Sequence, residues 1–342
     1  MKAVVYSESG KSDVLRLVER EMPEPGPGEV RVRVVVSGVN PTDWKSRAGN
    51  PPPDGADLTP NLDGAGVIDA VGAGVQGHAV GDRVWLYLAA SGRPAGGTAQ
   101  EYTVIPARHA VALPACASFE VGASLGVPAM TAHRALTVAE DSPRRLRHAS
   151  LTGSTVLIAG GAGAVGHAAI QLARWAGATV IATVSSPAKA ALASAAGAHH
   201  VVNYHEGDPA RTIRAIAPDG VDIVAEVAPA ANTGLDLAVL RTRGTIAVYG
   251  VDGGGELRLP LGPNVGLNAR WQFLLLYTVG DVALQEAAED ITAALEAGAL
   301  PVGEADGLPL TRFPLAETGA AHDAVEGGQV GKVLIDVAGA GS

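Results

Sequence analysis

The sequence predicts an α/β protein: a β-rich, barrel-type domain followed by a doubly wound parallel sheet. Three observations carry that prediction. Short strand candidates bounded by Gly or Pro fill the first 125 residues, strands and helices alternate from Thr155 onward, and a glycine-rich turn sits at the first strand-to-helix junction of that alternation. The 342 residues are 47% hydrophobic and 18% charged, enough for two domains at the rough prior of ~150 residues each.

The elements follow in chain order. Pro23-Glu24-Pro25-Gly26-Pro27-Gly28 forms turns and ends whatever precedes it. Residues 30–36 then alternate valine with arginine before running apolar, the pattern of a strand with one wet face. Residues 65–71, 83–88 and 101–105 are further short strands between turn residues. The second pattern opens at 156–159 with a continuous apolar strand, and 167–175 follows with helical apolar spacing. Strands at 179–183, 201–202, 221–227 and 245–249 are separated by helices at 187–196, 208–217 and 233–240. Strands apolar on both faces belong in a parallel sheet covered by helices on both sides. Residues 273–277 read as a sixth strand, too apolar for a free edge. The basic run 142–148 reads as a solvated loop. A last strand at 332–337 is like the N-terminal ones, so the expected domains are 1–125, 126–282 and a tail, 283–342, that packs back on the first.

Composition excludes several classes. Lys+Arg 25 against Asp+Glu 35 gives a net charge of −10, which opposes a nucleic-acid footprint and an anionic membrane surface. The one cysteine, Cys116, removes disulfide frameworks, iron–sulfur clusters and zinc ribbons together. No apolar run approaches the ~20 residues of a membrane span, and the opening residues turn polar too early for a secretory signal. A cytoplasmic protein is expected.

Gly161-Ala162-Gly163-Ala164-Val165-Gly166 fits G-x-G-x-x-G after a strand, before a helix and within a run of βαβ units, the context that gives the pattern meaning. Gly161 is expected to permit the tight turn, Gly163 to let backbone approach a pyrophosphate, and Gly166 to let helix pack on strand. The helix N-terminus offers N–H groups and a positive dipole end to phosphate. An NAD site places Asp or Glu ~20 residues further on, against the ribose 2′-hydroxyl. Here the second strand runs into Ser185-Ser186-Pro187-Ala188-Lys189 and supplies no carboxylate. Ser186 and Pro187 also read as N-cap and first helical residue, whereas Lys189 in the first turn suits a 2′-phosphate. NADPH is the expected dinucleotide. Tyr249-Gly250-Val251 ends a late strand at the carboxyl edge of the sheet, where backbone would meet a nicotinamide, although a simple strand exit reads the same.

The whole chain resembles the medium-chain dehydrogenase/reductase superfamily, with a GroES-like (chaperonin-10-like) catalytic domain before a Rossmann domain. Zinc alcohol dehydrogenases of that superfamily take ligands from a Cys before a Thr-Asp pair and from a Gly-His-Glu motif. The corresponding stretches here are Asn40-Pro41-Thr42-Asp43 and Asn61-Leu62-Asp63-Gly64, where Pro41 and Leu62 cannot ligate, so no metal is expected. Residues 39–43, 128–132, 159–174 and 184–204 then resemble the quinone oxidoreductase (zeta-crystallin-like) group. That resemblance implies that Lys189 and Tyr204 contact the 2′-phosphate and that Thr131 lies near the nicotinamide. It also implies a homodimer, through pairing of 273–277 with its twin.

The expected reaction is hydride transfer from NADPH to a quinone or activated enone. Such an acceptor is already electrophilic, so the protein must mainly align it and offer hydrogen bonds to developing charge. Asn40 is the candidate for orienting the substrate oxygen or the ribose, against a plain turn asparagine. Asp43 reads as a carboxylate capping backbone rather than an acid catalyst, and Thr131 as a donor or a core threonine. Enoyl-thioester reductases and non-catalytic NADPH-binding proteins are the alternatives. The first is expected to carry a tyrosine after the Asn-x-x-Asp segment, and residues 44–53 hold none.

Overall fold

The computed structural model describes residues 1–53 and 55–337. They form two compact units, Met1–Val127 with the chain from Pro309 onward, and Pro128–Leu308. The first unit opens with β1 (Lys2–Val5), β2 (Arg16–Glu19), β3 (Glu29–Val39), α1 (Pro41–Gly49), β4 (Asp63–Val71), β5 (Arg83–Leu86), β6 (Tyr102–Pro106), β7 (Ala110–Ala112) and α2 (Phe119–Ala123). Its central strand is β3, antiparallel to both β4 and β6. Val30, Val32, Val34 and Val36 are buried, while Arg31 on the other face pairs with Asp69 of β4 at 2.6 Å. The alternation of charge and valine is thus used as a two-faced strand.

The second unit follows with α3 (Gly126–Thr137, entered from the first), β8 (Thr155–Ala159), α4 (Ala164–Trp175), β9 (Thr179–Val184), α5 (Pro187–Ala195), β10 (His200–Asn203) and α6 (Pro209–Ile216). It continues through β11 (Val221–Glu226), α7 (Pro229–Val239), β12 (Leu240–Val248), α8 (Leu261–Leu267), β13 (Arg270–Phe273) and α9 (Asp281–Glu296). Six parallel strands run in the order β10-β9-β8-β11-β12-β13. The order reverses between β8 and β11, where open α/β sheets bind ligands at their carboxyl ends.

The chain then returns to the first unit as β14 (Leu310–Pro314), α10 (Thr318–Glu326) and β15 (Lys332–Asp336). β15 adds antiparallel to β3, completing the order β14-β15-β3-β4-β5-β7 with β6 also on β3.

Three expectations are corrected. The returning tail begins at Pro309, not 283, because α9 buries Leu284, Ala287, Ile291, Ala294 and Leu295 within the second unit. The strand expected at 273–277 ends at Phe273 and turns into a 3₁₀ helix over Leu276–Thr278, since its partner β12 stops at Val248. The basic run 142–148 is not simply solvated: Arg144 pairs with Glu286 at 2.9 Å, Arg145 with Glu289 and Asp290 at 2.8 and 2.6 Å, and Leu146 is fully buried. Among the described residues no helix is long and apolar enough to cross a membrane.

Candidate functional site

The turn after β8 is shaped by what each glycine excludes. Gly160 takes φ +70°, where only glycine is unstrained; the sequence had assigned that duty to Gly161. Gly161 must instead be small, because a Cβ there would lie 2.8 Å from the Ala182 Cβ on β9. At Gly166 a Cβ would stand 2.3 Å from the Gly160 carbonyl oxygen, so α4 rests directly on the turn. Gly163 differs: its Cβ would meet only the Gly160 oxygen, at 3.4 Å, and the residue is exposed. The missing side chain leaves room for a ligand, not for the protein. Gly163 is also the N-cap of α4 and has no side-chain cap, which leaves first-turn amides of Ala164, Val165 and Gly166 for an anion. Ala162 is buried beneath them. These features fit a dinucleotide pyrophosphate.

At the end of β9 the Lys189 ammonium donates to Ser185 Oγ at 3.1 Å, while Ser186 Oγ accepts the Lys189 amide at 3.3 Å. Ser186 is therefore the cap of α5, and Ser185 and Lys189 stand together as polar groups. Tyr204 follows β10, its amide on the Val184 carbonyl at 3.1 Å and its ring 44% exposed beside His205. The register of β9 and β10, which pairs Val184 with Asn203, brings these three residues to one edge with no carboxylate on the strand end.

Tyr249, Gly250 and Val251 leave β12 against the end of β11. The Tyr249 amide donates to the Glu226 carbonyl at 2.9 Å, and a Cβ on Gly250 would lie 2.4 Å from the Val227 oxygen. Burial and the Glu226 charge raise the Tyr249 hydroxyl, which lies 3.5 Å from the Ala159 carbonyl. Beneath them sit two acids that no sequence motif marked. Glu226 is 0% and Asp236 1% exposed, and burial pushes Asp236 up to about 9, with the Glu226 charge second.

In the first unit Asn40 and Asp43 belong to a buried cluster. Asn40 Nδ2 donates to Asp63 Oδ2 at 2.7 Å, and Lys332 Nζ donates to Asn40 Oδ1 at 2.6 Å. The Lys332 ammonium lies 3.4 Å from Asp63 Oδ2, and Asp63 Oδ1 accepts the Val127 amide at 2.8 Å. Asp43 accepts the amides of Asn40 and Leu62 at 2.7 and 3.2 Å. Burial raises Asp63 and lowers Lys332, while burial and the Asp63 charge push Asp43 up to about 7. Asn40 has its carbonyl end on the lysine and one amide hydrogen on Asp63, so a single N–H is what it can still offer. Thr131 is buried on α3 of the second unit. The sequence reading missed Lys332, although a lone charge heading the apolar run Val333-Leu334-Ile335 was its signal; Glu226, closing β11, carried the same signal.

Among the described residues no group of three or more His, Cys, Asp or Glu side chains could hold a metal ion. The donor set does not fit a zinc centre.

Comparison with known proteins agrees with this architecture. Residues 26–115 match the family described as alcohol dehydrogenase GroES-like domain, and 164–294 the one described as zinc-binding dehydrogenase. A quinone oxidoreductase of Lama guanicoe is 30% identical over 98% of this chain and 97% of its own. A 2-haloacrylate reductase of a Burkholderia species is 32% identical over 98% of each. The crystal structure of Escherichia coli quinone oxidoreductase complexed with NADPH is 26% identical, with a TM-score of 0.80 over 98% of this chain and 100% of that one.

Proposed function

The chain belongs to the quinone oxidoreductase group of the medium-chain dehydrogenase/reductase superfamily and is an oxidoreductase; from that premise we propose that it reduces quinones or activated enones with NADPH and without a metal. The observation that carries the coenzyme choice is the Lys189–Ser185 pair beyond the glycine turn, at a strand end lacking the acid an NAD site needs. Lys189, Ser185 and Tyr204 would hold the 2′-phosphate, the amides after Gly163 the pyrophosphate, and the backbone of Tyr249-Gly250-Val251 the carboxamide. Bound NADPH would supply the hydride. Asn40 is the proposed donor to the acceptor oxygen, with Asp43 holding the turn that carries Asn40, and Thr131 is the residue proposed for the nicotinamide. Asn40 suits that duty because its remaining polar hydrogen is a donor, and a donor is what an oxygen gaining charge requires.

The relative named for 2-haloacrylate favours a conjugated, electron-poor carbon–carbon bond as a second acceptor class. Purified protein mixed with NADPH or NADH and a simple quinone or a 2-haloacrylate tests the reading. NADPH should be consumed at least ~10-fold more efficiently than NADH, a charge-assisted contact being worth about that ratio or more, and EDTA should change nothing. No consumption with any conjugated acceptor, or loss on chelation, sinks it.

Exposed Leu261, Val265, Phe273 and Leu275 line the α8–β13 edge of the sheet. We read them as the contact with a second copy of the chain in a cytoplasmic homodimer, which sedimentation of the full chain checks.

A further inference from the structure

Glu226 and Asp236 form a feature the coenzyme reading has not used. Both are buried, and Asp236 stands one helical turn beyond Asn232, whose side-chain amide holds the Glu226 carboxylate; the two carboxyl groups are near enough for each to act on the ionisation of the other. Two carboxylates have no hydrogen to place between them, so a contact between them requires one shared proton. Asp236 Oδ2 is buried with no partner among the described residues, which a neutral acid tolerates far better than an ion does. Glu226 meanwhile receives the Ala228 amide and Asn232 Nδ2, the latter at 3.1 and 3.2 Å. The backbone of the same segment carries the next one. The Glu226 carbonyl takes the Tyr249 amide at 2.9 Å and the Val227 carbonyl the Asp252 amide at 3.1 Å. Gly250 packs against Val227 too closely for any side chain. Where residues 226–229 stand, residues 249–252 must follow.

We propose that Glu226 and Asp236 are a proton-sharing positioning pair, which holds the Ala228 amide and thereby sets the Tyr249-Gly250-Val251 backbone for the nicotinamide. The inference deepens the NADPH reading and rests on it. Loss of the shared proton puts two charges in one dry place, and the loop must open to hydrate them. Burial holds that proton up to about pH 9. Tyr249, on which the charges of Glu226 and Asp252 both act, stays in every variant below, as does Asp252.

NADPH titration of the full chain by fluorescence at pH 7.5 and 9.5 tests the pair, with circular dichroism confirming the fold of each protein. The wild type should lose about fourfold in affinity across that interval, as one proton leaves a group titrating near 9. Asp236→Asn can still donate to Glu226 but has no proton to lose, and should lose less than half as much. The rest of the coenzyme site is common to both proteins and cancels in the ratio. Glu226→Gln shifts the charge off the loop acceptor and should weaken NADPH by about tenfold at both pH values. Equal pH dependence in the wild type and Asp236→Asn overturns the pair, as does wild-type affinity in Glu226→Gln. Absence of NADPH binding at either pH overturns the coenzyme reading and the pair with it.

Discussion

At the glycine turn of the second unit the working groups are backbone amides, placed by residues that are small. In the first unit Asn40, Asp43, Asp63 and Lys332 are placed by burial, each charge leaning on its neighbour. The turn needs nothing from afar: Gly160, Gly161 and Gly166 are required by local contacts within two strands and one helix. The cluster joins residues 292 positions apart in the chain. A backbone site of this kind tolerates change around it but not within it, whereas a buried ionic site fails whenever one partner is removed.

The largest test of that contrast is Lys332→Met. It strands Asp63 without a counter-ion and should cost ~3–5 kcal/mol of stability, the usual range for breaking a buried pair. Denaturant unfolding measures it, and Lys332→Met combined with Asp63→Asn should recover part of the loss; a change below 1 kcal/mol would mean that the pair is not held as described.

Gly163→Val should do the reverse. No protein atom blocks a Cβ there, so melting should shift little, while NADPH affinity falls ~100-fold or more, since a phosphate and a side chain cannot share the space. A large loss of stability with coenzyme binding retained would break the comparison.

Each unit also buries a neutral histidine. Burial lowers His322 to about 3 and His167 to about 4, from 6.5. The unfolded chain therefore binds protons first on acidification, so the stability from each histidine is complete above pH 6.5 and is lost as pH falls below it. By pH 5 each should contribute ~2 kcal/mol of destabilisation, at ~1.4 kcal/mol per pH unit. Raised acids such as Asp43 and Asp236 act in the opposite sense over the same interval, so the check is a difference: between pH 7 and 5 the unfolding free energy of the wild type should fall relative to that of His322→Gln by ~2 kcal/mol.

Lys189→Ala is the smallest and most selective change. NADPH affinity should fall ~10-fold and NADH affinity should not move, if the ammonium is there for the extra phosphate as proposed. Equal losses for both coenzymes would assign Lys189 to the helix rather than to the ligand.

Five of the six parallel strands were legible because apolar strands and helices alternate in short, local patterns. So was the glycine turn between the first of them and its helix, whose glycines lie within one turn and one helix start. Legibility failed where a pattern was cut by its neighbours. The run at 273–277 is apolar enough for a strand, yet β12 ends too soon to pair with all of it. Arg144 and Arg145 look solvated until α9 brings Glu286, Glu289 and Asp290 to them.

Local chemistry written in the chain was enough to specify a parallel sheet, a glycine turn fit for phosphate, and a second strand end with a lysine and no acid. Folding alone decided that Lys332 would face Asn40 and that Asp236 would lie against Glu226. Periodicity reports which face a residue takes, but two charges distant in sequence become one site only when burial removes the water between them.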